Sequence, residues 1–116
     1  IVMYFVNHFK EDIKKFFPDF ENLKTNEENY VLMRDNVIVG LFSFKQSYDQ
    51  VNITLDYVTP AYRDLKPAKF LFYKSEFFKT RGITQLITVS NVPYHKKYLN
   101  KIGFNNIDNN KFILKI

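Results

Sequence analysis

The stretch Leu55-Asp56-Tyr57-Val58-Thr59-Pro60-Ala61-Tyr62-Arg63-Asp64-Leu65-Lys66-Pro67-Ala68 decides how this chain is read. A half-polar strand passes through Val-x-Pro-x-Tyr-Arg directly into the start of a long amphipathic helix. The first backbone N–H groups of a helix have no intrahelical partners, and the helix dipole favours an anion beside them. A strand feeding a helix N-terminus is therefore a natural place to hold phosphate. Turns that cradle phosphate usually rely on glycine, and this one has none.

Downstream, the pattern predicts a helix from about Lys66 to Arg81. Pro67 suits its first turn, Gly82 suits its C-terminal cap, and Ala68, Leu71, Phe72, Ser75 and Phe78 share one stripe. Upstream, Val51–Val58 alternates, with Val51, Ile53, Leu55 and Tyr57 expected on one face and Asn52, Thr54 and Asp56 on the other. Before it, Tyr30–Arg34 and Val37–Phe44 read as strands joined at Asp35-Asn36, a favourable hairpin pair, with a second turn at Gln46–Gln50. Asn7 is a plausible N-cap for a helix carrying Phe9, Ile13, Phe16 and Phe17 at helical spacing, which Pro18 ends. Glu21 to Glu28 reads as a connection. After the long helix come an apolar strand at Thr84–Val89, a helix from about Pro93 to Ile102 closed by Gly103, and a hairpin of Phe104–Ile107 with Lys111–Ile116. The order is helix, three antiparallel strands, helix, strand, helix, hairpin: an α/β or α+β sandwich around a mixed sheet.

The chain has 116 residues, which fits one domain over residues 1–116. It does not begin with Met, so it is also compatible with a fragment of something longer. Hydrophobic residues make up 46% and aromatic residues 18%, with thirteen Phe and no Trp, so phenylalanine rings are expected to build the core. There is no cysteine, which excludes disulfides, thiolate catalysis and Cys-ligated metal. The net charge of +5 is compatible with an anionic ligand or nucleic acid, but a Lys- and Asn-rich composition accounts for it more simply. Ile1–Val6 is apolar but too short to span a membrane. His8 and His95 are far apart and pair with no carboxylate at ligand spacing, so no metal site is expected. Gly40-Leu41-Phe42-Ser43-Phe44 superficially matches a nucleophile elbow but lacks its second glycine and sits within a hairpin strand.

Two local motifs on this element order resemble the GNAT superfamily of N-acetyltransferases. The first is Val58-x-Pro60-x-Tyr62-Arg63 with the six positions Arg63 to Ala68, which in that family read R/Q-x-x-G-x-G/A. The second is Asn91 after a strand, then a helix, then Lys101-Ile102-Gly103-Phe104. The resemblance covers roughly Asn29 to Ile116. It implies a mixed central sheet flanked by helices, mostly antiparallel with one parallel pair at the cofactor cleft, and acetyl-CoA as co-substrate. By that resemblance, backbone groups of Tyr57 and Val58 meet the pantetheine arm. Arg63, Asp64, Leu65, Lys66, Pro67 and Ala68 wrap the pyrophosphate, and Asn91 contacts pantetheine. The implied reaction is direct attack of a primary amine on the thioester, with a base taking the amine's proton and a tyrosine protonating the thiolate. Lys66 stands where the family has its first glycine, and Leu99 aligns with the usual tyrosine.

The residues admit more than one reading each. Arg63 is a phosphate contact or a solvated turn residue. Lys66 and Lys69 sit near a helix start, where cations are unfavourable without an anion. Asp56 is a candidate base or an ordinary strand carboxylate. Tyr94 and Tyr98, one turn apart, are candidate acids or rings packing on the sheet. The expected function is acetyl transfer from acetyl-CoA to a small-molecule or peptide amine, in the cytoplasm or on a cytoplasm-facing domain. The alternative is a GNAT-like fold without chemistry that senses acyl-CoA or serves as an interaction module. Nucleic acid is the weaker partner, and a homodimer is left open.

Overall fold

Asp35 and Asn36 both take positive φ, 51° and 66°, so they form the expected tight turn between β2 (Glu28–Arg34) and β3 (Val37–Ser47). Tyr48, at φ 57°, turns β3 into β4 (Gln50–Val58). The computed structural model describes residues 2–5, 10–20, 27–62 and 76–116, without the side chains of residues 2–5, 10, 16, 20 and 62. Asn7, Phe9, the Arg63–Ala68 loop, the predicted helix start at Lys66, and Leu71, Phe72 and Ser75 lie outside the described residues.

The strands form one seven-stranded sheet in the order β1-β2-β3-β4-β5-β7-β6. β1 (Val2–Phe5) pairs antiparallel with β2 at one edge, where no strand was expected; its four residues are too few to show a period. β4 and β5 (Gln85–Val89) are parallel. β7 (Lys111–Lys115) pairs antiparallel with both β5 and the edge strand β6 (Asn105–Asp108). The mixed sheet is the one expected from the element order, and its one parallel pair is the one that the resemblance implied.

Each face of the sheet has its own cluster. On one face, α1 (Lys10–Phe16) and the turn after it bring Ile13 and Phe17 onto Val31 and Leu41. On the other, Phe42, Phe44, Val51, Leu86 and Phe112 meet Phe78 and Leu99. Phe78 belongs to a helical turn at 76–79, and Leu99 to α2 (Pro93–Lys101). β3 is buried on both faces, so Leu41, Phe42, Ser43 and Phe44 are all inaccessible.

Gly82 and Gly103 cap in the same way. Gly82 has φ 77°, its N–H reaches Lys79 O, and the Ile83 N–H returns to Phe78 O. Gly103 has φ 108°, its N–H reaches Asn100 O, and the Phe104 N–H returns to Leu99 O. Each is a helix end in which the residue after glycine packs against the one five before it, Ile83 on Phe78 and Phe104 on Leu99. Leu99 is thus held by core packing, which explains leucine at that position.

At the far end of the sheet, Arg81 ties the helical turn to β2. Its Nη1 donates to both Glu28 oxygens, at 2.9 and 2.8 Å, and its Nη2 to the Tyr30 hydroxyl at 3.2 Å. The guanidinium also lies 4.4 Å from the centre of the Phe77 ring. Burial, aided by the Glu28 carboxylate, pushes the Tyr30 phenol up to about 12.

Candidate functional site

The site begins where β4 and β5 part. Their ladder runs from Gln50↔Gln85 to Ile53↔Thr88 and ends there, while β4 continues to Val58 paired with β3. The result is a wedge between the two parallel strands. Thr88, buried in the floor of β5, donates its hydroxyl to the Ile53 carbonyl at 3.3 Å, at the apex. A threonine in an apolar strand reads as a simple β-former, so the sequence carries no signal for this role.

A bulge sits at the same point. Ser43 pairs with Leu55 but Phe44 with Ile53, so Thr54 is the extra residue. The alternation expected along Val51–Val58 therefore breaks. Val51 and Ile53 belong to the cluster beneath α2, whereas Leu55 and Tyr57 pack against the α1 cluster. Tyr57 meets Phe17 edge-on, 6.2 Å between ring centres. Asp56, paired with Phe42, is turned the other way, towards α2. The single-face expectation for Val51, Ile53, Leu55 and Tyr57 is corrected by one inserted residue, which strict period-two reading cannot detect.

That reversal puts Asp56 on the face of the sheet that also carries Tyr98. Burial raises the Tyr98 phenol well above its ordinary value, and the Asp56 and Tyr94 charges add to the rise. The hydroxyl holds its proton throughout the physiological range. Tyr98 also packs against the core cluster and stacks on His95 at 6.0 Å. Tyr94, one turn earlier, is 57% exposed. The two tyrosines thus differ in setting, one a wall residue and one at the surface.

The rim of the wedge comes from the β5–α2 turn. Ser90 is buried; its N–H donates to Asn110 O at 2.8 Å, and its hydroxyl accepts from the Val92 N–H at 3.4 Å. Asn91 is exposed between them. Val89 and Val92, 68% and 52% exposed, make this rim apolar. On the β4 side, Val58 is followed by Thr59, whose N–H donates to Val39 O at 2.8 Å. The Thr59 hydroxyl oxygen is buried without a hydrogen-bond partner among the described residues. Of the residues expected at the site, Asp56, Tyr57, Val58, Tyr94, Tyr98 and Asn91 are described, and Arg63 to Ala68 lie outside the described residues.

Gly40 makes the wedge's β4 edge possible. A Cβ at this position would fall onto the Tyr57 carbonyl oxygen and lie 3.2 Å from Val58 Cα. No group of His, Asp and Glu side chains that could hold a metal ion occurs among the described residues, and no described helix is long and apolar enough to cross a membrane.

No family profile matches the chain, and no curated protein matches it by sequence. Solved structures do match by shape. Tetrahymena GCN5 superposes with a TM-score of 0.71 over 95% of this chain and 82% of its own, at 14% identity. An IAA acetyltransferase from Bacillus cereus gives 0.71 over 99% of both chains, at 15% identity. A GNAT family acetyltransferase from Elizabethkingia anophelis, with acetyl-CoA bound, gives 0.68 over 92% of this chain and 83% of its own, at 16% identity. The chain has the GNAT fold.

Proposed function

We propose that this GNAT-fold chain transfers an acetyl group from acetyl-CoA to a primary amine by direct attack. The observation that carries this reading is the wedge that opens beyond Ile53/Thr88, with Asp56 and Tyr98 both on its α2 face. A thioester-bearing arm laid in the wedge would run along Tyr57 and Val58, pass the apolar Val89 and Val92, and meet Asn91 at the rim. The buried Thr59 hydroxyl, with no partner among the described residues, fits a polar group arriving there. Arg63, Asp64, Leu65, Lys66, Pro67 and Ala68 are assigned to the pyrophosphate, with Arg63 and Lys66 supplying positive charge.

In this reading Asp56 takes the acceptor's proton, directly or through water. The amine then forms the C–N bond as the C–S bond breaks. Tyr98 donates a hydrogen bond to the departing thiolate. Its phenol is a weaker acid than an ordinary thiol, so it stabilises the charge without giving up its proton. Tyr94, at the surface, is left as the group that can pass a proton from solvent. A cytoplasmic setting suits an acetyl-CoA-dependent reaction.

Acetyl-CoA is expected to raise the melting temperature, and Arg63→Glu to abolish that rise. An unmoved melting curve at millimolar acetyl-CoA would sink the proposal. Tyr98→Phe, which keeps the ring in place, should leave the acetyl-CoA shift intact and slow transfer about 10²-fold, the scale of one lost transition-state donor. An unchanged rate would remove Tyr98 from the chemistry. Leu99, committed to the core, favours the second reading of a sensing or interaction module. Acetyl-CoA binding without transfer to any amine would select it.

A further inference from the structure

The chain order sets the direction of an arm laid in the wedge. Arg63 to Ala68, assigned to the pyrophosphate, follow Val58 by way of the Pro60–Tyr62 turn. An arm that leaves them passes Val58 and then Tyr57, so its acyl end is carried towards Asp56 and the apex. What closes the apex is therefore what the acyl chain meets.

Thr88 closes it. Its pairing with Ile53 on one side and Phe112 on the other puts its side chain on the α2 face. The hydroxyl reaches from β5 to the Ile53 carbonyl on β4, so the side chain lies as a bar across the closing gap. A hydroxyl among apolar neighbours is stable only when hydrogen-bonded, and that carbonyl supplies its partner. The row that Thr88 completes is shut from end to end. Phe44 and Phe112 are inaccessible, and Ile53 and Thr88 are 7% and 6% exposed.

The room above the bar is short. Asp56 pairs with Phe42 and Ile53 with Phe44, so the two levels are two residues apart on β3, about 7 Å. On the α1 face, Leu55 and Tyr57 are taken up by the cluster of Ile13 and Phe17. That side of β4 offers the chain no recess among the described residues. An acyl group that grows past acetyl runs into the bar and the buried row beneath it.

We propose that Thr88 sets the acyl-chain length, admitting acetyl and rejecting butyryl and longer chains. No bond forms or breaks at Thr88; it determines specificity by the space it closes. The inference rests on the acyl-CoA half of the acetyl-transfer reading and adds to it the length of the donor chain.

The test is titration calorimetry of the whole chain with CoA, acetyl-CoA, butyryl-CoA and hexanoyl-CoA. Butyryl-CoA should bind the parent chain about tenfold more weakly than acetyl-CoA, the scale on which a closed pocket discriminates methylenes. Thr88→Ala removes the bar and should bring the two within about threefold, chiefly by tightening butyryl-CoA. Thr88→Val keeps the volume and loses only the tie, so most of the discrimination should remain. A loss of stability alone would weaken all the thioesters together and leave their ratio unchanged. Should Thr88→Ala not fold, Ile53→Val takes one carbon from the other side of the same closure and should move the ratio in the same direction. Equal affinities for acetyl- and butyryl-CoA in the parent would overturn the inference, as would a ratio that the opened variant leaves unchanged; acyl-CoA binding would still stand. If neither CoA nor any thioester binds, both fall together. Discrimination without transfer to any amine keeps Thr88 in this role and selects the sensing module.

Discussion

Gly40→Ala is expected to cost about 3 kcal/mol and to lower the melting temperature by roughly 12 °C. The added methyl would collide with the Tyr57 carbonyl oxygen and press on Val58 Cα, and both are backbone. A side chain can rotate away from a clash, whereas here a strand must move. β3 is pinned on its other side by β2 and carries its own irregularity, with Val39 as the extra residue between Leu32↔Gly40 and Met33↔Ile38. The end of β4 is therefore the part that yields. On the acetyl-transfer reading, acetyl-CoA should stabilise this variant less than the melting loss alone explains, because Tyr57 and Val58 form one edge of the wedge. Gly82→Ala is the matched control: its φ of 77° carries a left-handed penalty of about 1 kcal/mol, but nothing lies within 4 Å of the new methyl. If the two variants melt together, the close approach at Gly40 is not what the residue is for.

Such close approaches divide what the sequence discloses from what it withholds. Asp35-Asn36, Gly82 and Gly103 are legible because a positive φ leaves a residue-type signature at a single position. The parallel β4–β5 pair was legible only through the resemblance to the GNAT superfamily, and the long crossover between the two strands is what permits it. The bulge at Thr54 is not, since threonine is at home in any strand, and one inserted residue reverses every side chain after it. Asp56 and Tyr98 were each picked out as candidates, but only the reversal puts them on the same face of the sheet. Glu27 lay in a stretch that read as connection, and its hydrogen bond from Thr54 joins residues 27 positions apart. Arg81 and Glu28 are likewise 53 residues apart, and nothing local predicts their pairing. Short-range conformational demands are written in residue types; contacts between distant strands are written only in the fold.

Phe44→Ala should be the most damaging core substitution, at about 3–5 kcal/mol. A chain of this size has a total stability of roughly 5–15 kcal/mol, so the variant would stand near the edge of folding at room temperature. Phe44 is the hub of the aromatic core. Its ring lies 5.0 Å from Phe78, 5.7 Å from Phe42 and 6.2 Å from Phe77, and it stacks on Tyr30 at 5.7 Å. The Arg81 guanidinium sits 5.5 Å from its centre, so the Arg81–Glu28 tie rests partly on this ring. Its strand partner is Ile53, the last residue of β4 before the bulge and the carbonyl that receives Thr88. Removing the ring thus opens a cavity directly beneath the apex of the wedge. Phe44→Leu refills most of that volume and forfeits only the ring geometry, so it should cost about 1–2 kcal/mol. The difference between the two, read from urea midpoints at a common slope, measures cavity against aromatic geometry. Amide exchange adds the functional half of the test: in Phe44→Leu, protection at Ile53 and Thr88 should fall before protection in β2 does. Uniform loss across the sheet would mean that the apex is no weaker than the rest, and that the wedge is held open by the bulge alone.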